Sequence, residues 1–196
     1  MFQVGIVGRG GQGVGATAGL LAVAAFIEGR YARAFPGPGA QAVGAPVTAY
    51  CCIDDTVIRP HEPVSRPHAL IVHDPTLLGQ PGLLTGLRAD GYLIVNSMRE
   101  FTELGLAAQV SRMRSDRLLV LPATQLALVH LDRPLPGAAL LGGFAALTGQ
   151  VLPESVATAI ADRFTGRAAE GNRAAAAAGF GFAQARQRAV AERIGA

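Results

Sequence analysis

The sequence predicts an α/β fold: a Rossmann-like open, mostly parallel sheet with flanking helices and a helical C-terminal segment. Short runs rich in β-formers (FQVGIV, ALIVH, YLIVN, LLVL) recur with room for helices between them, the rhythm of parallel strands joined by crossovers. A glycine cluster separates the first run from a long stretch of small apolar residues with helical spacing. Half of the 196 residues are hydrophobic and only 16% are charged. Such a chain either builds an extensive sheet core or hides much of its surface against partners.

In chain order, Phe2 to Val7 reads as a short buried strand and Val14 to Gly29 as a helix closed by Gly29. Arg30 to Phe35 reads as the second strand. Strand, helix and strand in about thirty residues make a βαβ unit, with a right-handed crossover and parallel pairing. Pro36 to Pro46 is a loop by composition. Val47 to Ile53 is rich in β-formers, and the turn at Asp54-Asp55 before Val57 to Arg59 predicts a hairpin. Pro60 to Pro67, with three prolines, is connective.

The βαβ rhythm then resumes. Ala69 to His73 is a strand stopped by Asp74-Pro75, and Tyr92 to Asn96 follows the turn signal Asp90-Gly91. Leu118 to Leu121 is a third strand, stopped by Pro122, and the segments between these strands hold short helices. From Ala123 the pattern is helical, broken at Pro134, Pro136 and Pro153. The alanine-rich tail through Arg193 reads as a helix that covers the sheet or reaches a partner. No repeat interrupts residues 1–196, which read as one domain with a helical extension from about 123.

Composition narrows the function. The two cysteines, Cys51 and Cys52, are adjacent, so on a strand they point to opposite faces and make a poor metal pair or disulfide. They read as buried strand residues, in keeping with a reducing cytoplasm. The N-terminus opens directly into a strand pattern rather than a signal peptide, and no apolar run reaches the roughly 20 residues that span a bilayer. All 17 basic residues are arginine, the net charge is +3, and the arginines are scattered without interleaved aromatics. Neither a nucleic-acid nor a membrane partner is expected.

The motif that carries chemistry is G-R-G-G-Q-G, Gly8 to Gly13, which satisfies G-x-G-x-x-G between a strand and a helix. Glycines there allow positive φ and close approach of backbone N–H groups to an anion, and the helix N-terminus adds partial positive charge. Arg9 adds a possible charge-assisted bond to phosphate. The competing reading is a tight turn that binds nothing. A nicotinamide dinucleotide also calls for an acid at the end of the second strand. That strand holds Arg30 and Arg33 instead, and the nearby Glu28 sits on the preceding helix, so Arg33 suits a ribose phosphate, as in NADP or coenzyme A.

Asp74 and Asn96 stand at strand ends where α/β sheets place ligand contacts, but capping of the following loops accounts for them at least as well. His73, on a hydrophobic strand, reads as a satisfied core histidine. His61, His68 and His130 share no ligand spacing, and Ser97 and Thr124 lack a base partner. No catalytic constellation is legible.

GRGGQG, then AAFIEGRYARAFP, then GAPV before a strand ending in Ile-Asp-Asp, resembles the gamma subunit of the 2-oxoacid:acceptor oxidoreductases, the pyruvate:ferredoxin oxidoreductase group. The similarity continues in order through HDPTLL, DGYLIVNS, ATQLAL, GGFAALTG and RFTGRAAEGN. The resemblance implies a non-catalytic subunit of a thiamine diphosphate-dependent enzyme that decarboxylates a 2-oxoacid oxidatively, usually to an acyl-coenzyme A. Thiamine diphosphate, Mg2+ and the iron–sulfur clusters would sit on alpha, beta and delta-type partner subunits, with ferredoxin or an NAD(P)-linked acceptor taking the electrons. This chain would help close the active site and hold coenzyme A through Gly8, Arg9, Gly10, Gly11, Gln12, Gly13 and Arg33. It departs from the family where a charged Glu-Arg-Arg run is usual and Gln41-Ala42-Val43 stands here, and at Gly19, Gln125 and Gly137. The alternatives are a stand-alone NADP-type oxidoreductase domain and a scaffold subunit that has lost coenzyme A binding.

Overall fold

All the β-former runs but Val57 to Arg59 become strands in a computed structural model, which describes residues 1–38, 42–59 and 64–195. The strands are β1 (Phe2–Arg9), β2 (Tyr31–Pro36), β3 (Pro46–Asp54), β4 (Ala69–Val72), β5 (Tyr92–Asn96) and β6 (Leu118–Leu121). The helices are α1 (Val14–Ile27), the single turn α2 (Ala107–Val110), α3 (Ala123–Leu131), α4 (Gly137–Thr148), α5 (Pro153–Arg163) and α6 (Gly166–Gly195). Gly39, Ala40, Gln41 and His61 fall outside the described residues.

The sheet order is β2-β3-β1-β4-β5-β6. β1, β4, β5 and β6 are parallel neighbours, as the β-former rhythm predicts. The first βαβ unit is a correction. β2 runs parallel to β1 but does not pair with it, because β3 lies between them, antiparallel to both. The nine-residue PVTAYCCID has buried residues toward both faces, whereas YARAFP is half-exposed and ends in a proline that cannot donate to a ladder. Burial therefore favours β3 inside and leaves β2 at the edge. The hairpin expected between 47–53 and 57–59 is also absent. Asp54 Oδ1 accepts the N–H groups of Asp55 (2.8 Å) and Thr56 (3.2 Å), turning the chain away from the sheet, and Val57 is exposed.

The two faces of the sheet are covered differently. Ile6, Cys51, Ile71, Ile94 and Leu119 point into the core shared with α1, α4, α5 and α6. Val7, Val72, Leu93 and Val95 point the other way, under turns and loops that contribute Leu78, Leu87 and Leu106. α4, GAALLGGFAALT, lies between the sheet and α6, and apolar residues all round it are buried. Glycines set the α4–α6 spacing: a Cβ on Gly142 would overlap the carbonyl of Ala176, and one on Gly179 that of Ala139. The alanine-rich tail thus covers α4 as a second helical layer and reaches the edge of β6. No helix among the described residues is long and apolar enough to cross a membrane.

Candidate functional site

The glycine loop stands at the carboxyl end of β1, beside the carboxyl end of β4. Chain order reverses between these two strands: β2 and β3 are added on one side, β5 and β6 on the other. Open α/β sheets hold ligands in the crevice at such a switch point.

β1 continues through Gly8 and Arg9 before the chain turns. A Cβ on Gly8 would stand 2.7 Å from Val14 Cγ2, 2.9 Å from Gln12 Oε1 and 2.9 Å from His73 Cβ, so only glycine fits there. Gly10 is tied to the GAPV segment: its N–H donates to Ala45 O (2.9 Å) and its carbonyl accepts from Gly44 N–H (2.9 Å). Gly11 (φ 97°) and Gly13 (φ 76°) occupy the left-handed region. Gly13 is the N-cap of α1 and supplies no capping side chain, leaving the open N–H groups and partial positive charge of the first turn at the crevice. A cleft of about 410 Å³ runs from this turn between Val14, Gly15, Ala18 and Gly19 of α1 and Ala34 and Pro36 of β2.

Arg9 is held within the protein. Its guanidinium donates to Asp74 Oδ2 (Nε, 3.1 Å), Gly44 O (Nη1, 3.1 Å) and Thr76 Oγ1 (Nη2, 2.8 Å). Gln12 bridges the same groups, its Oε1 accepting Arg9 N–H (2.8 Å) and its Nε2 donating to Asp74 Oδ2 (3.1 Å). Thr76 donates to Asp74 Oδ1 from its backbone N–H (3.0 Å) and its hydroxyl (2.6 Å). Partial burial works to raise the Asp74 carboxyl, but the Thr76 and Gln12 hydrogen bonds and the Arg9 charge outweigh it and hold it below the usual carboxylate value. Asp74 therefore caps its loop, and it also anchors the glycine turn.

His73 is buried but only half satisfied. Its Nδ1 donates to Gln12 O (3.2 Å), beneath the turn, while Nε2 has no hydrogen-bond partner among the described residues. The ring edge faces the first turns of α1 and α4, where a Cβ on Gly137 would lie 3.6 Å from His73 Cε1. Burial pushes the imidazole down to about 4, against the opposing hydrogen bond to Gln12. Asn96 fixes the neighbouring strand ends: Nδ2 donates to His73 O (2.8 Å) and Thr124 Oγ1 (2.8 Å), and Oδ1 accepts Thr124 N–H (3.0 Å). Asn96 thus acts as the structural cap.

Six of the seven predicted site residues, Gly8, Arg9, Gly10, Gly11, Gln12 and Gly13, form one turn at this crevice. Arg33 is not brought to it. Ala32 packs into the α1 side of the sheet, so Arg33 projects from the opposite face, where its guanidinium lies 5.2 Å over the Phe35 ring. Sequence reasoning missed Thr76, Gly44 and the open His73 Nε2. Asp-Pro-Thr is a readable cap signal for Thr76, whereas the Gly44 contact depends on the long loop folding back.

The chain matches the family model for pyruvate ferredoxin/flavodoxin oxidoreductase over residues 3–182. It belongs to that family. It is 41% identical over 180 residues to the pyruvate/ketoisovalerate oxidoreductases common subunit gamma of Pyrococcus abyssi, covering 92% of this chain and 96% of that protein. It is 38% identical over 176 residues to the pyruvate synthase subunit PorC of Methanocaldococcus jannaschii, covering 90% and 93%. Among solved structures, the pyruvate oxidoreductase subunit PORC of Thermotoga maritima superposes with a TM-score of 0.77 at 31% identity, covering 92% and 95%. A keto/oxoacid ferredoxin oxidoreductase gamma subunit of Geobacter sulfurreducens shares the fold, with a TM-score of 0.70 at 23% identity over 94% and 99% of the two chains. The chain is thus a gamma-type member of an oxidoreductase family, with the expected α/β fold.

Proposed function

We propose that this chain is the non-catalytic gamma subunit of a thiamine diphosphate-dependent 2-oxoacid oxidoreductase, and that its glycine turn holds the phosphates of coenzyme A. The supporting observation is the uncapped first turn of α1 behind Gly11 and Gly13, set at the β1/β4 switch point. Backbone N–H groups there suit a phosphate without further side-chain charge. The cleft between α1 and β2 extends from the same turn and suits the remainder of an elongated ligand. Arg9 then acts by holding the turn through Asp74, with the ligand contacts left to the backbone. Arg33, on the far face, takes no part in this reading. Thiamine diphosphate, Mg2+, iron–sulfur clusters and the electron acceptor belong to the alpha, beta and delta-type partners. The chain works in the cytoplasm as part of that assembly.

The test is calorimetric titration of coenzyme A into the assembled complex, with wild-type chain and with Gly15→Asp. Gly15 has nothing within 4 Å of its missing Cβ, and an acid in a first helical turn is well tolerated. The added carboxylate should occupy the amides, repel phosphate and weaken binding by at least about tenfold. Equal affinity in the two proteins would remove the ligand from this turn, leaving a scaffold subunit.

A further inference from the structure

We propose that the outward face of α1 near its C-terminus docks another subunit of the oxidoreductase through an apolar, uncharged surface of that partner. The inference rests on the gamma-subunit reading above. Its origin is compositional: VGATAGLLAVAAFI contains one polar residue, Thr17, and that residue is buried. A helix that is apolar all round belongs between two layers of protein. α1 has only one. Its inner face packs on the sheet, α4 and α5, while Val23 is 41%, Phe26 74% and Ile27 40% exposed on the outer side.

The patch extends beyond the helix. Leu152, 57% exposed, is brought alongside by its N–H donating to Glu28 Oε1 (2.7 Å) at the helix end. Val23, Phe26, Ile27 and Leu152 thus gather at one corner from two segments of the chain. Glu28, whose Oε1 accepts the Leu152 N–H, lies beyond the helix end, and the strip of α1 itself carries no charged residue.

Size decides between a second copy and another subunit. Fourteen residues make a helix about 21 Å long, and one outward strip is about 10 Å wide. The strip and its neighbour Leu152 fall well short of the ~800 Å² per partner that a stable two-body interface buries. By itself the patch cannot hold a dimer of this chain. It fits one hydrophobic contact within a larger, multi-subunit interface, where Phe26 is the anchor and apolar side chains of the partner exclude water around it.

The experiment co-expresses this chain with the thiamine-binding and cluster-bearing subunits of its own oxidoreductase. Assembly is read by size-exclusion chromatography with light scattering for wild type, Phe26→Arg and Phe26→Leu. Phe26→Arg should weaken incorporation by at least about tenfold while its thermal midpoint as a lone chain stays unchanged, and Phe26→Leu should assemble as wild type does. Equal incorporation of Phe26→Arg and wild type would overturn the docking site while leaving the gamma-subunit reading intact. Failure of the wild-type chain to assemble at all would overturn that reading itself. A wild-type chain that forms a dimer alone, lost in Phe26→Arg, would assign the face to a second copy and overturn the proposed occupant.

Discussion

α4 and α1 are built from nearly the same material and meet different fates. Each is a glycine- and alanine-rich apolar helix with one hydroxyl, and in each that hydroxyl bonds the backbone four residues earlier: Thr148 to Phe144 O (2.8 Å) and Thr17 to Gly13 O (3.1 Å). α4 is closed on both sides, with the sheet beneath and α6 above at glycine-to-backbone spacing. α1 is closed on one side, and Phe26 on its other side is the most exposed phenylalanine of the core helices. The difference shows that apolar composition tells how much cover a helix calls for, not whether the same chain provides it.

The comparison is broken most severely by truncating a large ring on each helix. Phe144 is fully buried, and Phe144→Ala should cost about 4 kcal/mol of unfolding free energy. Phe26→Ala in the isolated chain should stay within about 0.5 kcal/mol of wild type. Urea denaturation measures both, and comparable losses would mean that α1 is covered within the monomer.

Next comes His73, wedged under the first turns of both helices. Its folded pKa, about 4, lies below the ordinary 6.5, so the unfolded chain binds the proton first as the pH falls. Stability is therefore complete above pH 6.5 and declines toward pH 4, with an upper limit of about 3 kcal/mol for this one group. His73→Gln should flatten the stability profile across that window. A profile as steep as wild type would place the proton elsewhere.

Two glycine substitutions sharpen the contrast at smaller scale. Gly142→Ala forces a Cβ against the Ala176 carbonyl and should destabilise by about 2 kcal/mol. Gly19→Ala on α1 meets nothing within 4 Å and should stabilise by about 0.5 to 1 kcal/mol through helix propensity. Thermal midpoints moving in the same direction for both would refute the one-sided packing of α1.

The parallel half of the sheet was readable because ALIVH, YLIVN and LLVL are buried on both faces, and each ends at a residue that stops a strand. The glycine turn was readable for the same local reason, since Gly11 and Gly13 require positive φ. β2 and β3 were not. Whether YARAFP pairs with β1 or yields that place to PVTAYCCID depends on competition for burial between segments ten residues apart, which no local pattern records. Arg33 was misplaced as a consequence. Its side of the sheet depends on the register Arg33↔Cys52, and strand alternation sends it away from the turn. Local sequence points Arg9 at a ligand because its partners, Asp74 and Thr76, lie 65 and 67 residues away.

Local backbone requirements determined, from sequence alone, the α/β class, the glycine turn, the helical C-terminal half and the family resemblance. These features rest on periodicity, on φ, and on residue strings that need no distant partner. Tertiary structure alone decided that β3 separates β1 from β2, that Arg9 is neutralised by Asp74, and that α4 is covered while α1 is not. Each of those outcomes is a choice among distant segments for a limited amount of buried surface, and the choice exists only once the chain has folded.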